Sequence, residues 1–119
     1  MDDPLLLGIA ISDTVTIAVA DLDGIVIVQT AYPNDLAAGT EFFFNHLVEE
    51  AQVLLDPLPG QLRHIGMASQ SAERQTDLGW LSARLSTVWG VPVSVSHQTN
   101  DGSESHLDRA ITLARAGLA

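Results

Sequence analysis

The chain contains neither cysteine nor lysine. Without cysteine there is no disulfide framework, no thiol nucleophile and no thiolate-bound zinc, and the composition fits a reducing compartment. Without lysine, every basic side chain is one of five arginines (63, 74, 84, 109 and 115), set against fifteen acidic residues for a formal net charge of −10. Nucleic-acid affinity comes largely from cations that neutralise phosphates, so this balance disfavours DNA, RNA and anionic membranes as partners. An acidic surface also simply keeps a protein soluble. Long hydrophobic runs are missing too. The opening MDDPLLLGIAI sets two aspartates where a secretory leader carries positive charge, and its apolar stretch is far short of the roughly 20 residues that a membrane span needs. A soluble, cytoplasmic protein with no membrane association is the expectation. At 119 residues, without repeats or low-complexity tracts, the chain suits one domain over 1–119, large enough to bury roughly two-thirds of its unfolded surface.

What is present is a regular alternation of apolar runs. LLLGIAI (5–11), VTIAVAD (15–21) and IVIVQTAY (25–32) are rich in β-branched residues and are separated by Ser12-Asp13-Thr14 and Asp23-Gly24, which predicts an antiparallel meander. Pro33-Asn34-Asp35 breaks it. From about Leu36 or Thr40 to Leu55 the spacing turns helical, with Phe43, Leu47, Ala51 and Leu54 on one stripe, Phe44, Val48 and Leu55 beside it, and Pro57 as the stop. LRHIGMA (62–68) reads as a fourth strand. The polar SQSAERQTD (69–77) leads to a second helix from about Asp77 to Trp89, with Leu81, Leu85 and Val88 on one face and Gly90 as its C-terminal cap. VPVSVS (91–96) is a fifth strand. Asp101 and Glu104 have the form of a capping pair for a last helix marked by Leu107, Ala110, Ile111 and Ala114. The order βββαβαβα, joined by right-handed crossovers, predicts an α/β fold with a mixed five-stranded sheet and helices on both faces.

This order resembles the ribonuclease-H-like superfamily. Within it, LGIAISDTVTIAVADLDG (7–24) is similar to the opening hairpin of two groups. One is the Holliday-junction-resolvase-like family, also described as pre-ribosomal-RNA nucleases, whose domains are about this size. The other is the ROK family of sugar kinases and repressors, whose amino-terminal lobe later carries a segment similar to WGVPVSVSHQTND (89–101). The short span from Gly66 to Gly90 suits the compact nuclease better, and a ROK kinase needs a second lobe to hold its nucleotide.

The nuclease resemblance implies carboxylates on the first strand, near the end of the fourth, and after the fifth or on the last helix, because Mg²⁺ or Mn²⁺ needs hard oxygen ligands converging on one point. At those places this sequence has Ala10, then Ala68-Ser69-Gln70, then Ser96-His97-Gln98. The resemblance therefore implies a domain without catalytic residues or cofactor: a binding or regulatory module acting through a homodimer or a protein partner, with His97, Gln98, Asn100 and Asp101 as its binding candidates. The rival is an active nuclease with Mg²⁺ or Mn²⁺ held by a displaced set, Asp13, Asp101 and Glu104. Asp13 is equally explained as a turn former, Asp101 and Glu104 as helix-capping charges, and Asp108 as a solvated residue beside Arg109. In the ROK resemblance, a phosphate-binding turn similar to Asp-x-Gly-Gly-Thr is replaced by Ala10-Ile11-Ser12-Asp13-Thr14, whose Asp13 would repel phosphate. The family's catalytic aspartate falls on Gln98, which cannot take a proton from a sugar hydroxyl. Only Asn100 keeps a family-like side chain, implying a lobe that binds a sugar or partner without phosphorylating it.

His97 and His106 flank Asp101 and Glu104, making His97, Asp101 and His106 a candidate metal set. Their spacing matches no strong signature, and His106 would sit more than a turn into the last helix. His46 and His64 read as partly buried or surface histidines, and Ser69 and Ser71 have no visible partner base. Phe42, Phe43 and Phe44 span about 200° of a helix and cannot all face one core. Together with Trp80 and Trp89 they form a candidate interface, which a homodimer would bury.

Overall fold

The three leading apolar runs do form the meander. In the computed structural model, which describes residues 4–11, 14–33, 38–58, 60–69, 75–97 and 111, β1 (Pro4–Ile11), β2 (Thr14–Ala20) and β3 (Val26–Pro33) pair antiparallel in turn. Asp21 builds the β2–β3 turn. Its Oδ1 accepts the backbone N–H of Asp23 at 2.9 Å and of Ile25 at 3.0 Å, while Gly24 takes a positive φ of 85° that a side chain would resist.

After the meander come α1 (Thr40–Leu55), β4 (Gln61–Ser69), α2 (Gln75–Trp89) and β5 (Val93–His97). β4 runs parallel to β1 on one side and to β5 on the other, giving the order β3-β2-β1-β4-β5. This is the mixed five-stranded α/β sheet expected of a ribonuclease-H-like chain. Two boundaries moved. α2 begins at Gln75, and β5 begins at Val93 because Gly90, at φ 65°, closes α2 by donating its N–H to the Ser86 carbonyl. Pro92 has no N–H to offer a ladder; its carbonyl accepts the Ile65 N–H at 3.0 Å instead.

Strand alternation sorts the sheet into two unlike faces. One carries large side chains in register: Leu7 beside Val19 and Ile65, Ile9 beside Ile17 and Met67, with Val93 and Val95 from β5. Phe43, Phe44, Leu47, Ala51 and Leu54 of α1, with Leu81 and Leu85 of α2, cover this face and complete the main core. The opposite face carries small residues, Gly8 beside Ala18 and Gly66, and Ala10 beside Ala68. There Ile111 packs on Ala18 and Ala20. The remainder of the expected last helix lies outside the described residues.

Two arrangements tie α1 to α2. Arg84 pairs with Glu41 and lies over the rings of Phe44 and Trp80, 4.1 and 5.0 Å from their centroids. At the other end the Trp89 indole N–H donates to Gln52 Oε1 at 3.2 Å, and the Gln52 amide donates to Asp56 Oδ1 at 2.7 Å. Arg84, one of the five cations, is thus engaged in packing.

Candidate functional site

Parallel pairing of β1, β4 and β5 brings their carboxyl ends to one edge of the sheet, the edge at which open α/β sheets hold ligands. Ala10 pairs with Ala68 and Ala68 with Ser96; one residue on, Ile11 pairs with Ser69 and Ser69 with His97. The positions selected by the nuclease resemblance on three separate strands therefore stand side by side. They carry no acid. Ala10 is 5% exposed and Ala68 fully buried, so two neighbouring places in this rung present buried methyl groups, which offer no ligand to a metal and no hydrogen bond to a water.

His97 is placed here by its backbone register alone. Gln98, Asn100, Asp101, Glu104, His106 and Asp108 lie outside the described residues, as do Ser12, Asp13, Gln70 and Ser71. The displaced carboxylate set and the His97, Asp101, His106 set thus both fall largely outside them. Among the described residues no group of three or more His, Asp or Glu side chains could hold a metal ion.

The two histidines with described side chains sit elsewhere. His64, on β4, is buried, its Nε2 2.8 Å from Ser94 Oγ. Nδ1 is buried with no hydrogen-bond partner among the described residues. Burial holds its pKa below the ordinary histidine value, favouring the neutral ring in the fold. Four residues separate it from Ala68, roughly 13 Å along the strand at 3.3 Å per residue, which removes it from the edge chemistry. His46 stacks on Tyr32 with ring centroids 4.0 Å apart, and its Nε2 lies 4.0 Å from Glu50 Oε1.

The packing of α1 places each residue of the candidate aromatic interface. Phe43 and Phe44 point into the main core and are buried, Trp80 and Trp89 pack half-buried against it, and Phe42 alone of the triplet is exposed, at 56%. The reason is the helical one: Phe43, Leu47 and Leu54 share the sheet-facing stripe, Phe44 turns toward Trp80 of α2, and Phe42 falls on the far flank.

Sequence inspection missed a second concentration of exposed apolar side chains, Leu22, Ile25, Val26 and Ile27, at the β2–β3 hairpin and along β3. Its signal was present: no residue from Gly24 to Pro33 is charged, in a chain that carries −10. It also missed a cleft of about 610 Å³ at the amino ends of β4 and β5, lined by Gln52, Asp56, Arg63, Trp89 and Pro92 among others. That cleft lies at the opposite end of the parallel strands from the Ala10–Ala68–Ser96 rung. Among the described residues no helix is long and apolar enough to cross a membrane.

No protein-family model and no curated protein matches this chain. Solved structures do. A ROK hexokinase from Thermus thermophilus is similar at TM-score 0.63 and 17% identity, over 78% of this chain and 33% of its own. A ROK-family transcriptional regulator, described as a homologue of the E. coli MLC protein, is similar at TM-score 0.59 and 16% identity, over 80% of this chain and 28% of its own. RuvC from T. thermophilus, solved with a Holliday junction substrate, is similar at TM-score 0.56 and 12% identity, over 93% of this chain and 90% of its own. This chain thus spans about a third of the ROK structures and nearly all of RuvC. At such identities the likeness speaks to fold, and together with the strand order it gives the chain a ribonuclease-H-like α/β architecture.

Proposed function

We propose that this chain is a catalytically degenerate, resolvase-like member of the ribonuclease-H-like fold, working as a binding or regulatory module through self-association or a protein partner. The observation that carries this is the buried rung at the carboxyl edge of β1, β4 and β5, where Ala10 and Ala68 occupy places at which the nuclease resemblance calls for metal-binding carboxylates. Phosphodiester hydrolysis of that type needs cations gathered by converging oxygens, and two methyl groups in the middle of the site argue against it. Scarcity of basic residues argues the same way, since a nuclease must also hold phosphates.

The test is cleavage of labelled branched and linear DNA and of structured RNA by pure protein in Mg²⁺ and in Mn²⁺. No product above a metal-free control is expected. Metal-dependent products abolished by Asp101→Asn would instead establish the rival, a rearranged site built from Asp13, Asp101 and Glu104.

A second reading has one observation in its favour: the ROK structures superpose at TM-scores of 0.59–0.63, against 0.56 for RuvC. In that case the chain is a ROK-like lobe that binds a sugar or partner without phosphorylating it, because Gln98 replaces the proton-accepting aspartate. A rise in melting temperature with hexoses, lost in Asn100→Ala, distinguishes it.

A further inference from the structure

We propose that a second copy of this chain pairs antiparallel with β3, edge to edge, so that the two sheets become one across a two-fold axis. This rests on the binding-module reading and names the surface it uses.

β3 is one of the two outer strands of the described sheet, β5 being the other. Natural sheets protect such edges with charged side chains, proline or irregular backbone, because an outer strand is a template for another strand. Charge is absent here. From Gly24 to Pro33 there is no Asp, Glu, Lys or Arg. Among the described residues the protective devices stand at the two ends: a register shift near Ile27, where Ala20 pairs with Val26 and Val19 with Val28, and Pro33 at the strand's close. Between them, Val28–Ala31 is a regular, uncharged stretch whose outward backbone groups suit an identical strand. At its start lie the exposed Leu22, Ile25, Val26 and Ile27, with Ile25 63% exposed. Such a cluster favours burial on association.

Charge also selects the occupant. Two copies at −10 each repel wherever their acidic surfaces meet, so they can approach closely only through an uncharged zone. A basic partner would be drawn to the acidic surfaces instead and would gain nothing electrostatic from β3.

α1 supplies the flank of this interface. Phe42, His46 and Val53 recur at helical spacing on one side of the helix, and Phe42 and Val53 are exposed. Stacking of His46 on Tyr32 of β3 places this flank over the strand edge. Antiparallel pairing about an axis normal to the sheet sets both copies of α1 on the same face, running in opposite directions. The Phe42 end of one then approaches the Val53 end of the other. Glu49 and Glu50 lie between these residues in the sequence, so added salt should tighten the dimer by screening them.

Sedimentation velocity on the whole chain tests this. The wild type should sediment as a species of twice 12.7 kDa, more completely at higher salt. Ile27→Asp puts a charge without a partner at the end of the paired stretch and should loosen the dimer by about a hundredfold or more, since a charge buried unpaired is costly. Val88→Asp, the same change at an exposed position on α2, should leave it intact. Should Ile27→Asp fail to fold, hydrogen exchange of the wild type decides: the amides of Val28–Ala31 should become protected as concentration rises. A monomeric wild type overturns the proposal, whether its edge stays bare or is filled by an added apolar peptide. So does a dimer indifferent to Ile27→Asp, or one whose Val28–Ala31 amides exchange freely. Each of these outcomes is separate from the cleavage assay, which tests the degenerate-site reading.

Discussion

Replacing Ala10 by aspartate would return a carboxyl group to the place where the nuclease resemblance calls for one, and the surroundings set its effect. Ala10 is 5% exposed and stands beside the fully buried Ala68, with no carboxylate or cation on its described neighbours in the rung. Desolvation raises the pKa of a buried carboxyl by as much as 3–5 units; a rise of about 3 units from the ordinary value near 3.9 gives a folded pKa of about 7. The sign follows from linkage. A raised folded pKa means the native state binds more protons than the unfolded state, so stability is retained below the unfolded pKa and lost as pH climbs through the folded one. At about 1.4 kcal/mol per unit the loss reaches roughly 4 kcal/mol by pH 8, of which about 3 accrues above pH 5. Overpacking adds about 1–3 kcal/mol at every pH. Urea unfolding of wild type and Ala10→Asp at about pH 5 and about pH 8 isolates the electrostatic part. The gap between them should widen by about 3 kcal/mol, and Mg²⁺ should not close it. A gap independent of pH would mean that the new carboxylate reaches water. A gap closed by Mg²⁺ would mean that oxygen ligands already wait there; either result refutes the reasoning.

Three further outcomes follow from the packing. Leu47 is fully buried between α1 and the sheet, so Leu47→Ala should cost about 2–5 kcal/mol in urea unfolding, whereas Val88→Ala, at an exposed site, should change stability by less than about 0.5 kcal/mol. His64 has its pKa lowered by burial, so the fold favours the neutral ring; its contribution is complete above about pH 6.5 and is lost as pH falls through its folded pKa, so the wild type should weaken relative to His64→Asn in acid unfolding curves. Gly90→Ala forces a side chain into φ 65° at the end of α2 and should cost about 1–2 kcal/mol, readable as a lowered melting temperature.

Much of the fold is legible in sequence because its signals are local and periodic. Alternation and short Asp/Gly turns disclose β1 to β3, the stripe Phe43, Leu47, Ala51, Leu54 discloses α1, and right-handed crossovers then leave few ways to order the sheet. The site is legible as a set of positions, since parallel strands end together whatever they carry; what Ala10 and Ala68 lack can be read directly. Less accessible was the role of individual apolar residues. IVIVQTAY has the composition of a buried strand, and only the strand order shows that it forms an outer edge, with Ile25 and Ile27 exposed. Phe42, Phe43 and Phe44 are chemically identical, and the rotation of α1 on the sheet decides which one reaches solvent. His64 gives no periodic signal of its burial, which depends on Ser94 lying 30 residues away in sequence.

The central claim concerns metal, and Mn²⁺ binding tests it most directly. Free aqueous Mn²⁺ gives a sharp six-line paramagnetic resonance spectrum that broadens on binding, so titrating the whole protein into Mn²⁺ measures occupancy without any assumption about substrate. An intensity that falls no further than for a similarly acidic control protein is predicted, because among the described residues no converging oxygen set lies beside Ala10 and Ala68. Stoichiometric loss of the signal at one site, reversed by Mg²⁺ and abolished by Asp101→Asn, would contradict the account.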